Sequence, residues 1–198
     1  MTQTIEIFGF AQSTFTRTAC MAALEHGLSY ELKPAKLGDA SYAELHPFQK
    51  MPALRKGGRV VFETLAVVAE LDALAQTKPL IPEEKEDRVS ALCWSSALSD
   101  YVYPKLVGDW CIALMQDQLK GKQKDAMREE VRSQLTILER GLGGRGTFAS
   151  RLSVADLLLA PMLAYVEQLS PELLEERGQL AKAYEALKSR ESFKRTAG

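Results

Sequence analysis

The sequence is poor in the residues from which metal sites and disulfide frameworks are built. It has three cysteines (Cys20, Cys93 and Cys111), with no C-x-x-C spacing, and two histidines, His26 and His46, far apart and without companion ligands. Reduced thiols in a reducing compartment follow, and neither a zinc site nor a disulfide scaffold is expected. The two histidines are assigned to surface or loop positions. No charge is in excess: 25 Lys and Arg against 26 Asp and Glu leave a net −1. That excludes a strong generic attraction to nucleic acid or to an anionic membrane. No apolar run approaches the ~20 residues that cross a bilayer. The opening MTQTIEIFGF lacks a basic n-region and a cleavage site, so a mature cytoplasmic start is expected. Internal repeats and low-complexity tracts are missing as well.

What remains is ordinary for a globular chain. The 198 residues are 46% apolar and 26% charged, enough for one or two domains with a core of their own. Residues 4–10 alternate as a first strand. A helix follows, with caps at Ser13 and Thr14, an apolar stripe of Phe15, Ala19, Ala22 and Ala23, and Gly27 as its stop. Residues 30–37 read as a second strand that Pro34 confines to an edge, and 41–46 as a short helix.

The stretch 46–74, HPFQKMPALRKGGRVVFETLAVVAELDAL, organises the chain. Gly57-Gly58 between two short extended runs signals a hairpin. Pro52 opens the first run and donates no ladder bond, so it is either an edge residue or a cis turn that presents the preceding backbone outward. After Phe62 the period changes: Leu65, Val68, Leu71 and Leu74 mark a helix beginning at Glu63-Thr64, with Thr64 a good cap type and an anion site at its free amides. The order is β-α-β, a linking helix, then β-β-α, which is thioredoxin-like.

TKPLIPEEKE, residues 77–86, is the best linker. Beyond it strand signals vanish. A long helix is expected over 87–119 with Pro104 as a kink or break, another over 124–140 ending at Gly141, a leucine-rich one opened by the S-x-x-D capping box Ser153–Asp156, and a last one over 179–189.

PFQKMPALRKGGRVVFETLAVVAEL resembles the glutathione-binding half of the glutathione S-transferase family, in which N-P-F-G-Q-V-P-A-L is followed by a hairpin, F-E-S and a helix. GFAQSTFTR resembles the phi-class active site G-x-P-A-S-x-x-T-R, with Gly9, Ser13, Thr16 and Arg17 in register and Ala11 in place of the proline. SVAD and the terminal ESFKRT are similar to the family's S-x-A-D and R-P-S-F segments. The resemblance covers nearly the whole chain and is of the phi/theta-like, active-site-serine type. It implies a thioredoxin-like domain over 1–76, a linker over 77–86, and an all-helical domain over 87–198.

It further implies that Met51 beside a cis Pro52 pairs with the cysteinyl backbone of glutathione, and that Glu63 and Thr64 hold its γ-glutamyl end. Ser13, or Thr14 one residue on, would donate a hydrogen bond to the glutathione thiolate at a helix N-terminus, where free thiols of pKa ~8.5 are shifted downward. With no His nearby, Ser13 acts as donor and not as nucleophile. Cys20 lies two turns into the helix, which disfavours a mixed-disulfide mechanism. The family's His-Lys anchor for the glycine carboxylate is missing: Leu37, Gly38 and Asp39 stand there, so Lys50 or Lys36 is expected to supply the charge.

An electrophile pocket is expected from Phe10 with Tyr103, Val107 and Trp110 at i, i+4, i+7. The activity implied is glutathione transfer to a small hydrophobic electrophile. It would need glutathione as co-substrate and no metal, in a homodimer with no nucleic acid or membrane partner. The rivals are a glutathione-dependent isomerase, dehalogenase or peroxidase, a non-catalytic binding or stress-response protein, and a thiol-disulfide reductase.

Overall fold

The computed structural model describes residues 4–197, so the first three residues of the expected mature start lie outside it. The chain divides into two compact units: residues up to Glu84 together with Arg190 onward, and Lys85–Ser189.

In the first unit β1 (Ile5–Phe8) leads into α1 (Thr14–Glu25) and β2 (Tyr30–Lys33), then α2 (Ala40–Ala43), β3 (Ala53–Lys56), β4 (Arg59–Phe62) and α3 (Thr64–Leu74). The sheet order is β2-β1-β3-β4. β1 pairs parallel with β2 and antiparallel with β3, and β3 pairs antiparallel with β4 across the two glycines of the hairpin. This is the thioredoxin-like arrangement. Alternation along the strands decides the two faces. Ile7 and its partner Leu54 are fully buried on one of them. Phe8 and Ala53 belong to the other, in a cluster with Ala35 and Tyr42 that Leu45, Met51 and Phe62 complete. β2 stops at Lys33 because Pro34 has no amide to donate, four residues short of the expected end.

Both histidines are buried, not exposed. His26 caps the C-terminus of α1, where one ring nitrogen meets Thr77 Oγ1 at 2.5 Å and the other Asp72 Oδ1 at 2.7 Å. Asp72 in turn accepts from the amides of Leu80 at 2.8 Å and Ile81 at 2.9 Å. One carboxylate thus ties the end of α1 to α3 and to the segment that follows it.

The second unit contains α4 (Lys85–Ala97), which runs on through wide π-type turns, Leu98–Val102 and Pro104–Ile112, into α5 (Ala113–Met115). Pro104 neither breaks nor sharply ends the rod. Its missing N–H and its ring are accommodated where the ladder widens, with the Tyr103 amide reaching back to Leu98 O. After it come α6 (Gly121–Leu142), α7 (Val154–Leu169), α8 (Glu172–Glu175) and α9 (Gly178–Lys188). α6 does not end at Gly141. It continues to a left-handed cap at Gly143, φ 55°, and Gly141 lies inside it against the Trp94 ring, which stacks on Phe148 at 4.5 Å.

The capping box in front of α7 is built as expected. Asp156 Oδ2 accepts from Ser153 N and Oγ, both at 2.8 Å, and Oδ1 accepts from Phe148 N at 2.9 Å. Burial pushes this carboxyl up to about 6 in spite of those bonds. No helix of the described residues is long and apolar enough to cross a membrane.

The terminal segment, expected in the helical domain, forms α10 (Glu191–Arg195) and belongs to the first unit. Arg17 anchors it from α1. Its Nε donates to Thr196 Oγ1 at 3.3 Å, its guanidinium donates to Phe193 O at 3.1 Å, and its plane lies 4.0 Å above the Phe193 ring.

Candidate functional site

Register brings the residues expected to hold glutathione to one end of the sheet. Phe8 lies opposite Lys33 on one side and Ala53 on the other, and Ala53 lies opposite Phe62. The residues flanking this rung are Gly9 and the loop to Ser13, Pro34 and the run to Lys36, Met51-Pro52, and Glu63-Thr64. Strands spaced ~4.8 Å apart therefore gather four segments, separated in sequence, along one edge.

Ser13 is the N-cap of α1. Its backbone is extended, its Oγ accepts from the Thr16 amide at 3.3 Å, and it is partly exposed. Accepting that bond leaves its hydroxyl proton available to an acceptor in front of the helix. Thr14 is 2% exposed, and its Oγ1 is buried without a hydrogen-bond partner. The structure thus places one candidate donor toward solvent and the other in the core. Gly9 makes the loop possible, because a Cβ there would sit 2.1 Å from Thr16 Oγ1. Cys20 is buried, and burial pushes its thiol up to about 11, despite a bond with Tyr30. That is the reverse of an activated thiol.

The Met51–Pro52 peptide is cis, which resolves the two alternatives left by the sequence. Met51 is half-buried against the Phe8 cluster and Pro52 is buried. Tyr42, a residue that sequence reasoning passed over, donates from its hydroxyl to Lys50 O at 2.8 Å and so fixes the peptide that enters Met51. Gln49 adds a second tie. It accepts from Gly38 N at 3.0 Å and donates to Asp39 O at 3.2 Å. Lys36 and Lys50 are both exposed. Asp39 caps α2, accepting from Ser41 N and Oγ at 2.8 Å; these bonds hold its carboxyl below the ordinary range.

Glu63, not Thr64, is the N-cap of α3. Thr64 is the first helical residue and is buried. Glu63 has φ 71° and ψ 134°, makes no side-chain cap bond, and has a side chain 64% exposed. A left-handed backbone at a residue with a Cβ costs ~1–3 kcal/mol and collects at ligand clamps. Among the described residues, the side chain facing this carboxylate in an ion-pair geometry is His46, 3.7 Å away.

Of the residues expected to line an electrophile pocket, Phe10 is 42% exposed beside the Ser13 loop. Tyr103 is half-buried. Val107 and Trp110 are 2% and 1% exposed, and the Trp110 indole donates to Ser170 Oγ at 3.2 Å. Those two belong to the core of the helical unit, the more frequent fate of an apolar helical stripe. Among the described residues no three His, Cys, Asp or Glu side chains are grouped as metal ligands.

A model of the glutathione S-transferase N-terminal domain matches residues 7–79, and one of the glutathione S-transferase C-terminal domain matches residues 121–189. Glutathione S-transferase U7 of Arabidopsis thaliana is 28% identical over 71% of this chain, which spans 60% of that relative's length. A glutathione S-transferase of Silene vulgaris is 26% identical over 98% of this chain and 96% of its own. The theta class glutathione S-transferase from the citrus canker pathogen Xanthomonas axonopodis pv. citri, solved with glutathione bound, superposes with a TM-score of 0.85 at 21% identity, covering 98% of this chain and 97% of that one. Two matching domain models, covering most of the chain, and relatives named glutathione S-transferase converge with the fold: the chain belongs to the glutathione S-transferase family.

Proposed function

We propose that the protein is a glutathione transferase that activates the glutathione thiolate for attack on a small hydrophobic electrophile. The observation that carries this reading is the shared sheet edge at Phe8, Ala53 and Phe62. It aligns a helix N-terminus capped by a partly exposed serine, a cis-proline backbone and an exposed carboxylate at a second helix N-terminus.

Each feature suits one part of the tripeptide. The Met51 backbone pairs with the cysteinyl residue. The Glu63 carboxylate takes the α-ammonium of the γ-glutamyl end, and the first-turn amides of α3 at Thr64, out of reach of any helical carbonyl, take its α-carboxylate. Lys50, or Lys36, faces the glycine carboxylate in place of the family's His-Lys pair. Ser13 and the α1 terminus favour the thiolate over the thiol. Each pKa unit by which they lower it corresponds to ~1.4 kcal/mol. The thiolate then attacks the electrophile, and proximity supplies the remainder of the acceleration. Phe10 offers an apolar surface beside the sulfur, and the chemistry draws on no metal. Phe48, 71% exposed, is an apolar contact suited to the second copy of a cytoplasmic homodimer.

Calorimetric titration with glutathione, followed by thiolate absorbance of the complex against pH, tests the reading. Binding with a thiol pKa well below that of free glutathione is expected. Absence of binding overturns it and leaves a non-catalytic binding role.

A further inference from the structure

His46 has lost nearly all contact with water without gaining a hydrogen-bonded place in the core. It is 1% exposed, and its Nδ1 is buried with no hydrogen-bond partner. Its ring is held by Phe62 at 5.0 Å and Phe48 at 6.4 Å. A turn fixes the backbone on both sides, with His46 N donating to Tyr42 O and Gln49 N donating to His46 O. The remaining nitrogen, Nε2, lies 3.7 Å from Glu63 Oε1. Among the described residues, the charged groups that act on this imidazole are Glu63 from the start of α3 and Lys50 from its own loop. β4 contributes Phe62 to the ring's surroundings.

We propose that His46 is a positioning residue for the Glu63 carboxylate, and that its charge state decides whether that carboxylate is open to an ammonium ligand. The inference rests on the glutathione reading of the site and deepens it. Neutral His46 packs between the two phenyl rings and leaves the charge of Glu63 uncompensated, so a ligand ammonium meets a full carboxylate. Protonated His46 presents an N–H cation to Oε1 and occupies the same charge. Burial, the larger influence, pushes the imidazole below its ordinary value, and the Lys50 cation pushes the same way, while Glu63 opposes them. The site is therefore open at neutral pH and closes on acidification.

The test is the dissociation constant of glutathione between pH 8 and pH 5 in the wild type and in H46N, which keeps a polar side chain that does not titrate in this range. Wild-type affinity is expected to weaken about tenfold on acidification, within the range of coupling between two sites, with a flat profile in H46N. Equal slopes in the two proteins overturn the proposal.

A second readout needs no glutathione. NMR titration of the His46 ring should give a lower pKa in E63Q than in wild type, and an unchanged value overturns the coupling even where H46N does not fold. Failure of the wild type to bind glutathione at pH 8 overturns the transferase reading. Binding at pH 8 with no His46-dependent slope overturns this inference alone.

Discussion

Glu25, at the end of α1, receives two hydrogen bonds from the guanidinium of Arg190, 165 residues later, at 2.7 and 2.5 Å. Ser192 Oγ adds a third at 2.5 Å. Together with the Arg17 contacts this pair fastens the last helix to the first, the same helix whose other end carries Ser13.

Replacing Arg190 by methionine is expected to release the terminal segment and to cost about 1.5–3 kcal/mol, the range for hydrogen bonds to a charged group. Burial by itself would raise the Glu25 carboxyl, but the bonds from Arg190 and Ser192 outweigh it and hold it below the ordinary value. A depressed folded-state pKa contributes stability above the unfolded value, and that stability is lost as pH falls through the folded one. Urea unfolding should therefore show a wild-type advantage over the variant that is largest near neutrality and shrinks in acid. A constant difference would mean the pair works through packing alone.

Ser13→Ala should raise the thiol pKa of the bound glutathione and lower turnover at neutral pH by about 10-fold or more, with a smaller change in binding. Thr14→Val should leave turnover intact, because that hydroxyl is buried. Removing an unpartnered buried hydroxyl should also leave stability unchanged or raise it by up to ~1 kcal/mol. Loss of turnover in Thr14→Val with none in Ser13→Ala would reverse the assignment.

Glu63→Gly separates folding from binding. Glycine adopts φ 71° without penalty, so thermal stability is expected to rise by about 1 kcal/mol. Retention on immobilised glutathione should be lost with the carboxylate. A variant that is both less stable and still retained would show that the backbone geometry serves the fold and not the ligand.

Gly141→Ala would stabilise an ordinary exposed helix by up to ~1 kcal/mol. Here the added Cβ would lie 2.1 Å from the Trp94 ring, so the substitution is expected to destabilise by about 1–3 kcal/mol, as overpacking does. The change should appear in the denaturation midpoint with Trp fluorescence as the probe.

Several features were legible because they are local. Gly57-Gly58 marked the hairpin, Ser13 the start of α1, and Pro52 either an edge position or the cis turn that the structure has. Other residues were misread because their environment comes from elsewhere in the chain. His26 and His46 are polar residues in loop-like sequence, yet Asp72 and Thr77 enclose one and Phe48 and Phe62 the other. Tyr42 gave no signal, since its partner is a backbone carbonyl that any residue carries. Val107 and Trp110 have the spacing of either a wall or a core, and only burial separates the two.

The sequence by itself determined the two-part architecture, the identities at the shared sheet edge and the family. The architecture rests on periodicity and turn chemistry, which act over a few residues, and the family on the resemblance of the motifs around Ser13 and Pro52. The tertiary structure alone decided that Ser13 and not Thr14 faces solvent, that Glu63 carries the left-handed cap of α3, that His46 stands against it, and that the last helix returns to the first unit. Those outcomes depend on burial, strand register and side-chain pairs tens to more than a hundred residues apart, which are set only when the sheet and its helices close on one another.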